Sequence, residues 1–353
     1  MNILFTCSAR KWGGNEAWVL NASKILKQKH KVFLAYRKTE VGERFDIDKF
    51  QLPFRHEGDL LTLSSLVSII KKKQIDIVVP TKRKDYFLSG LACRITGAKN
   101  IIILGIVRDL KNTITNNLIY NWLADGVMVN AKMIKDVLLK SSYMHPEKIA
   151  VIPNSIAIDT ASIKPASKPH SFLITSLGEL SERKGFDFLI RGFARFVKQY
   201  KISDAGLTII GSGNQMVPLR ELANSHDIGS MLTLTGFQKD PYPYLLSSDI
   251  FALTSKNEGI PYAVIEAALL DNAIIATKAG GIEELFRNEA ECLYVNYDDE
   301  LTLACRIYDL YSNTTRRKTL ANNARHAAEE KFSLEKMETE MIGFFRHIMY
   351  RNA

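Results

Sequence analysis

Residues 249–279 read DIFALTSKNEGIPYAVIEAALLDNAIIATKA: a short apolar run, a polar loop, a longer apolar stretch and a second short apolar run. Neither short run alternates apolar with polar residues. Each therefore suits a strand buried on both faces, as in a parallel sheet covered by helices. Pro261 lacks an N–H and cannot lie inside a helix, but it is welcome at the first helical position. The stretch is expected to fold as strand, loop, helix from Pro261, then strand, which is one turn of a doubly wound α/β sheet. Glu258 then falls in the exit loop of the first strand. Glu266, eight positions on, lies on the helix about 7–8 Å along the axis from Pro261 and about 80° out of phase with Glu258.

The same alternation runs outward in both directions. Before it come "NILFTC", "KVFLAY", "IDIVVPT", "IIILGIV", "GVMVN" and "IAVIPN", separated by helical stretches such as "NEAWVLNASKILKQK" and "LTLSSLVSIIKKKQ". The segment "IKPASKPHS" (163–171), with two prolines and small polar residues, reads as a linker. A second series follows with "SFLITSLG", "LTIIGSG", "MLTLTGF", "DIFALTS", "AIIATKA" and "CLYVNY". The expected architecture is α/β, with two Rossmann-like doubly wound parallel-sheet domains, residues 1–165 and 170–332. A terminal amphipathic helix in 333–353 is expected to pack back toward the first domain.

A chain of 353 residues with 46% hydrophobic side chains can bury the cores of two such domains. Its longest clean apolar run is "IIILGIV", too short for a transmembrane helix. The start, "MNILFTCSAR", lacks the basic flank of a signal peptide and reads as a first buried strand. Cys7, Cys93, Cys292 and Cys305 are scattered, with no metal-like spacing, as expected for reduced thiols in a cytoplasmic protein. Residues 1–165 hold 26 Lys and Arg against 14 Asp and Glu, while the remainder holds 21 against 24. A basic first half implies an anionic partner, whether nucleic acid, a phosphorylated substrate or an acidic membrane face, unless its lysines are simply solvated.

In open parallel sheets, ligands bind beyond the carboxyl ends of the strands. After the first strand, "SARKWGGNEAW" places Gly13 and Gly14 at a helix start, where backbone amides can approach a phosphate or simply make a tight turn. After the first strand of the second half, "LGELSERKGFDFLI" puts Arg183 and Lys184 just before a helix. Two cations there oppose the helix dipole and are favourable only beside an anion, which points to a diphosphate. "IIGSGNQM" lacks the third glycine of a dinucleotide fingerprint, so a nicotinamide enzyme loses ground. Glu266, flanked by "AVI" and "AALL", wants hydroxyl or amide partners. Two carboxylates with cations and amides between them suit a ligand with hydroxyls at both ends and phosphates in the middle. A nucleotide sugar is such a ligand.

The order of these features resembles the family-4 retaining glycosyltransferases of the GT-B fold, whose two Rossmann-like domains face a central cleft. The matching elements are the Gly-Gly loop, "VIPNSI", "G-x-L-x(3)-K-G", "IIGSG", "TGFQKD…YLLSSDIFALTS", the E-x7-E of "EGIPYAVIE", and "AGGIEEL". They span essentially the whole chain and are densest over 174–285. The resemblance implies a metal-independent retaining transferase of the hexosyltransferase type, with no fixed protein nucleophile and no cofactor beyond a donor linked to UDP or GDP. Glu258 would contact the donor sugar, Glu266 the ribose, and Arg183 with Lys184 the diphosphate. Gly259, Ile260 and Pro261 would lie along the sugar and phosphates, Gly236 and Phe237 would border the base, and Gly13 and Gly14 would complete the donor side. Asn15, Glu16, Lys82, Arg83, Lys84, Arg108 and Asp109 would face an anionic glycan or glycolipid acceptor, in cell-surface polysaccharide or lipopolysaccharide-type biosynthesis. Peripheral contact with the inner face of an anionic membrane is expected from the same charge. The chain departs from the pattern at Glu179, where members often carry Arg, and at Arg108–Asp109, where many carry His. Arg183 would supply the second cation, and Ser155 replaces the commoner Gly of "PNG". A nucleotide-sugar epimerase would need histidines at strand-end loops, where the seven here do not gather. A nucleic-acid binder would need aromatics among its lysine runs, and "KKK" and "KRK" have only Tyr86 nearby.

Overall fold

A computed structural model describes residues 1–105 and 110–351. Arg108 and Asp109 lie outside the described residues. By its internal contacts the chain forms two units, Met1–Ser155 with Ser333–Ala353, and Ile156–Phe332.

The first unit is built on seven strands: β1 (Asn2–Cys7), β2 (Lys31–Tyr36), β3 (Asp48–Gln51), β4 (Ile77–Pro80), β5 (Lys99–Leu104), β6 (Gly126–Val129) and β7 (Ile149–Val151). They pair in parallel in the order β3-β2-β1-β4-β5-β6-β7. Six of them coincide with apolar runs of the sequence. The seventh, β3, carries no apolar signature because it is a four-residue edge strand with mostly exposed side chains. The helix Leu60–Lys73 starts where Asp59 accepts the Thr62 N–H and stops where Gln74 turns left-handed, at φ 51°. Helix Leu334–Tyr350 also belongs to this unit. It buries Met337, Met341, Phe345 and Ile348, residues three or four apart on one face. Lys29, just past helix Gly14–Leu26, reaches the buried Glu338 at 2.9 Å.

The second unit has β8 (Phe172–Leu177), β9 (Ala205–Ile210), β10 (Leu232–Leu234), β11 (Ile250–Leu253), β12 (Ala273–Thr277) and β13 (Leu293–Val295), in the order β10-β9-β8-β11-β12-β13. Every pairing is parallel. Counted from β8, this is the 3-2-1-4-5-6 order of a dinucleotide-type fold, with its switch point between the first and fourth strands. Helix Phe186–Tyr200 drives Phe186, Phe188, Leu189, Phe193 and Phe196 into the core beside Leu303 and Ile307 of helix Glu300–Ser312. The proline-bearing stretch is attached to this unit. The Ala166 N–H donates to the Pro243 carbonyl at 2.9 Å, and Lys168 pairs with Asp249 at 2.6 Å.

All four cysteines are unpaired, and Cys7, Cys93 and Cys292 are buried. Burial pushes the Cys7 thiol up to about 12. Among the described residues, no helix is long and apolar enough to cross a membrane.

Candidate functional site

In the second unit the switch point brings two loops together, since β8 and β11 are neighbours in the sheet. The loop after β8 ends in a 3-10 turn, Glu182–Lys184, that feeds helix Phe186–Tyr200 through Gly185. The loop after β11 runs from Thr254 to Pro261 and feeds helix Tyr262–Leu269. Pro261 stands one place earlier than expected. Its ψ of 130° is extended, so it caps the helix and its carbonyl accepts the Val264 N–H at 3.3 Å. Among the described residues, no side chain caps the N-terminus of either helix.

The loops touch backbone to backbone. The Lys256 N–H donates to the Arg183 carbonyl at 2.8 Å, and the Thr254 hydroxyl lies 3.4 Å from the Lys184 carbonyl. Gly185, at φ 63°, permits this approach, because a Cβ there would stand 2.1 Å from the Thr254 carbonyl oxygen. Behind Glu258, Gly280 at φ 73° does the same: a Cβ would lie 1.9 Å from the Glu258 carbonyl oxygen.

The side chains meet in one cluster. Glu258 is buried, and its Oε1 accepts from Lys184 Nζ at 2.6 Å and from the Ser255 hydroxyl at 2.8 Å. The same oxygen lies 3.1 Å from Arg183 Nη1, which also donates to the Asn257 carbonyl at 2.9 Å. Two cations thus share one carboxylate. The cluster has unspent positive charge at the mouth of two helix N-termini, a setting that favours an anion.

Glu266, on the helix, stands apart from this cluster. Its carboxylate Oε1 lies 3.4 Å from the Tyr242 hydroxyl. Desolvation pushes the carboxyl up to about 7, and the Tyr242 hydrogen bond acts in the other direction. Gly259 and Ile260 are buried in the exit loop, and Pro261 is half-buried. Gly236, at φ 73°, gives its carbonyl to the Gly211 N–H at 2.9 Å, and Phe237 beside it is 55% exposed. Ser255, Asn257 and Tyr242 were not singled out by the sequence. Nothing in their spacing marks them: Ser255 and Asn257 act through a loop fold that no periodicity encodes, and Tyr242 acts from the separate short helix Tyr242–Leu246.

The first unit gathers another group at its own switch point. Gly13 and Gly14 are exposed and open helix Gly14–Leu26. Asn15 donates to the Thr81 carbonyl at 3.1 Å, and the buried Glu16 meets Lys82 Nζ at 3.1 Å. Arg83 lies 3.7 Å from Glu57, and Lys84 donates to the Phe54 carbonyl at 3.1 Å. The run "KRK" is therefore engaged within the unit. The sequence also passed over Asp85, fully buried, which accepts the Ser8 N–H at 2.9 Å and which burial pushes up to about 6.

Residues 158–327 match the family described as glycosyl transferases group 1. The chain is 26% identical over 261 residues to the UDP-Gal:alpha-D-GlcNAc-diphosphoundecaprenol alpha-1,3-galactosyltransferase of Escherichia coli, over 68% of this chain and 67% of that one. It is 23% identical over 343 residues to the N-acetylgalactosamine-N,N'-diacetylbacillosaminyl-diphospho-undecaprenol 4-alpha-N-acetylgalactosaminyltransferase of Campylobacter jejuni, over 90% and 92% of the two chains. The crystal structure of Anabaena HepE in complex with UDP is similar to it at a TM-score of 0.84 and 18% identity, over 98% of this chain and 100% of that one. At that identity the likeness is one of fold. The chain is a glycosyltransferase of the GT-B fold, with a group 1 glycosyl transferase domain in residues 158–327.

Proposed function

We propose that the chain is a retaining, metal-independent transferase of the hexosyltransferase type that draws on a nucleoside-diphosphate sugar, UDP-linked before GDP-linked. The observation that carries this reading is the cluster of Arg183, Lys184 and Glu258 at the switch point of the second sheet. A diphosphate set against Arg183 and Lys184 supplies the negative charge that one carboxylate leaves wanting. As the bond to the sugar breaks, charge grows on the departing diphosphate, and cations already fixed in place stabilise it without reorganising. That is the work a metal ion does elsewhere. Glu258, held by Ser255 and Lys184, presents a carboxylate to the donor sugar's hydroxyls, and Glu266 takes the ribose. Gly236 and Phe237 border the base, with the exposed ring of Phe237 offering a face to stack on.

The acceptor is proposed to be a lipid-linked or cell-surface glycan carrying negative charge. The two relatives support this, as both act on diphospho-undecaprenol-linked sugars by name. Asn15, Glu16 and Lys82 to Lys84 would serve it, together with Arg108 and Asp109, while Gly13 and Gly14 would complete the donor side.

A panel of nucleoside diphosphates and their sugars tests the reading by thermal shift and by slow donor hydrolysis. One base should raise the melting temperature, and one of its sugars should be hydrolysed with retained anomeric configuration, unaffected by a chelator. If no nucleoside diphosphate stabilises the protein, the reading fails.

A further inference from the structure

Helix Ile114–Asn117 of the first unit, with Thr113 as its cap, runs directly into a π-helical turn, Leu118–Leu123. Ile114, Leu118 and Trp122 recur there every fourth residue and are 91%, 36% and 54% exposed. Four residues slightly overshoot one α-turn and fall short of one π-turn, so the two drifts oppose and the three side chains keep one line. Ile119, Tyr120 and Leu123 on the opposite side are buried. Ile95, 58% exposed, ends the neighbouring helix Arg83–Thr96. That helix is joined to the turn by Arg94, whose guanidinium donates to the Trp122 carbonyl and stands 5.6 Å from its ring centroid.

Cations border the stripe. Lys148 Nζ reaches the Asn121 carbonyl and side-chain oxygens, each at 3.0 Å. Desolvation and repulsion from Arg351 and Arg94 pull Lys148 down, so Lys148 feels both of these cations. Asp125 and Glu147 pair with Arg94 and Arg351, which among the described residues leaves Lys148 without a carboxylate partner.

An exposed apolar stripe of this kind marks a contact surface. A second copy of the chain fits poorly. A stable dimer buries about 800 Å² per partner, more than four side chains supply, and a two-fold contact would bring the cations of one stripe against those of the other. A bilayer fits better, because anionic headgroups complement the rim and a tryptophan ring belongs at the membrane interface. We propose that Ile95, Ile114, Leu118 and Trp122 dock the first unit on an anionic bilayer surface. The inference deepens the lipid-linked acceptor reading and rests on it for its purpose, while the docking is read without any transfer. It also locates membrane attachment away from Lys82, Arg83 and Lys84, whose charges are engaged within the unit.

The test is co-sedimentation with vesicles of equal parts phosphatidylcholine and phosphatidylglycerol. The variants are the triple change Ile114→Gln, Leu118→Gln, Trp122→Gln, and Trp122→Gln alone. Wild type should bind, the triple variant should bind about tenfold less or worse, and the single variant should fall between. Donor hydrolysis in vesicle-free buffer should be the same in all three, which also certifies their fold. Binding by the triple variant equal to wild type, or no binding by wild type, overturns the proposal. So does light scattering that shows a wild-type dimer dissolved by the same changes without vesicle binding. If vesicle binding depends on the stripe but no nucleotide sugar is hydrolysed, docking stands and the donor reading falls.

Discussion

The carboxyl of Glu266 is pushed up to about 7 by desolvation, with Asp240 adding to the rise and the Tyr242 hydroxyl opposing it. Its folded value exceeds the ordinary 4.5, so the folded chain holds this proton more tightly than the unfolded one. The stability it contributes is full below that ordinary value and is lost as pH climbs through about 7. Ligand binding should run the other way. An ionised carboxylate accepts two ribose hydroxyls more strongly than a neutral one, so affinity for a free nucleoside diphosphate should rise by up to about tenfold from pH 6 to pH 8. The terminal phosphate ionises near pH 6 itself. The reading is therefore the difference between wild type and Glu266→Gln in calorimetry: the variant should bind more weakly and lose the Glu266 share of the slope. Identical slopes would make Glu266 a structural carboxylate. The apolar flanks of Glu266 announced in the sequence that it needed a partner. That the partner is Tyr242, from a helix 24 residues earlier, was not legible, because only the fold brings Tyr242–Leu246 beside Tyr262–Leu269.

At the scale of elements, the cluster depends on how closely two loops approach. Gly185→Ala would place a methyl group 2.1 Å from the Thr254 carbonyl oxygen at a φ of 63° that alanine disfavours. It should cost about 2 kcal/mol or more of stability and move Arg183 and Lys184 away from Glu258, lowering donor hydrolysis along with the melting temperature. A variant with wild-type melting and turnover would show that the loops do not need this contact. The strands around these loops were readable because parallel strands buried on both faces are continuous apolar runs, and β11 and β12 sit where 249–279 placed them. The sequence places the start of the next helix one residue early. Proline's fixed φ suits both the cap and the first turn, and only ψ, which the ring leaves open, separates them. The edge strand β3 is silent in the sequence for a different reason: its burial is too slight to leave a pattern.

Across the whole molecule, the basic excess of residues 1–165 was plain in composition, but its use was not. Lys82, Arg83 and Lys84 look like a free patch in the sequence, yet Glu16, Glu57 and the Phe54 carbonyl engage them. The exposed stripe at Ile114, Leu118 and Trp122 is silent in the sequence because its period matches that of any buried helix face. The second unit was more legible, since Arg183 and Lys184 sit at a helix start where cations are unfavourable without an anion. What the sequence did not disclose is that Glu258 already occupies both of them. That arrangement makes the central claim, a diphosphate at Arg183 and Lys184, directly measurable by calorimetry with UDP on wild type, Lys184→Ala, Arg183→Ala and Glu258→Gln. Arg183, 40% exposed at its side chain, guards against a Lys184 variant that loses its fold by stranding a buried carboxylate. The account predicts that both cation variants bind UDP at least about tenfold more weakly, while Glu258→Gln, which releases the cations, binds it as tightly as wild type or more so. Undiminished binding in Lys184→Ala and Arg183→Ala, or a loss confined to Glu258→Gln, would contradict it.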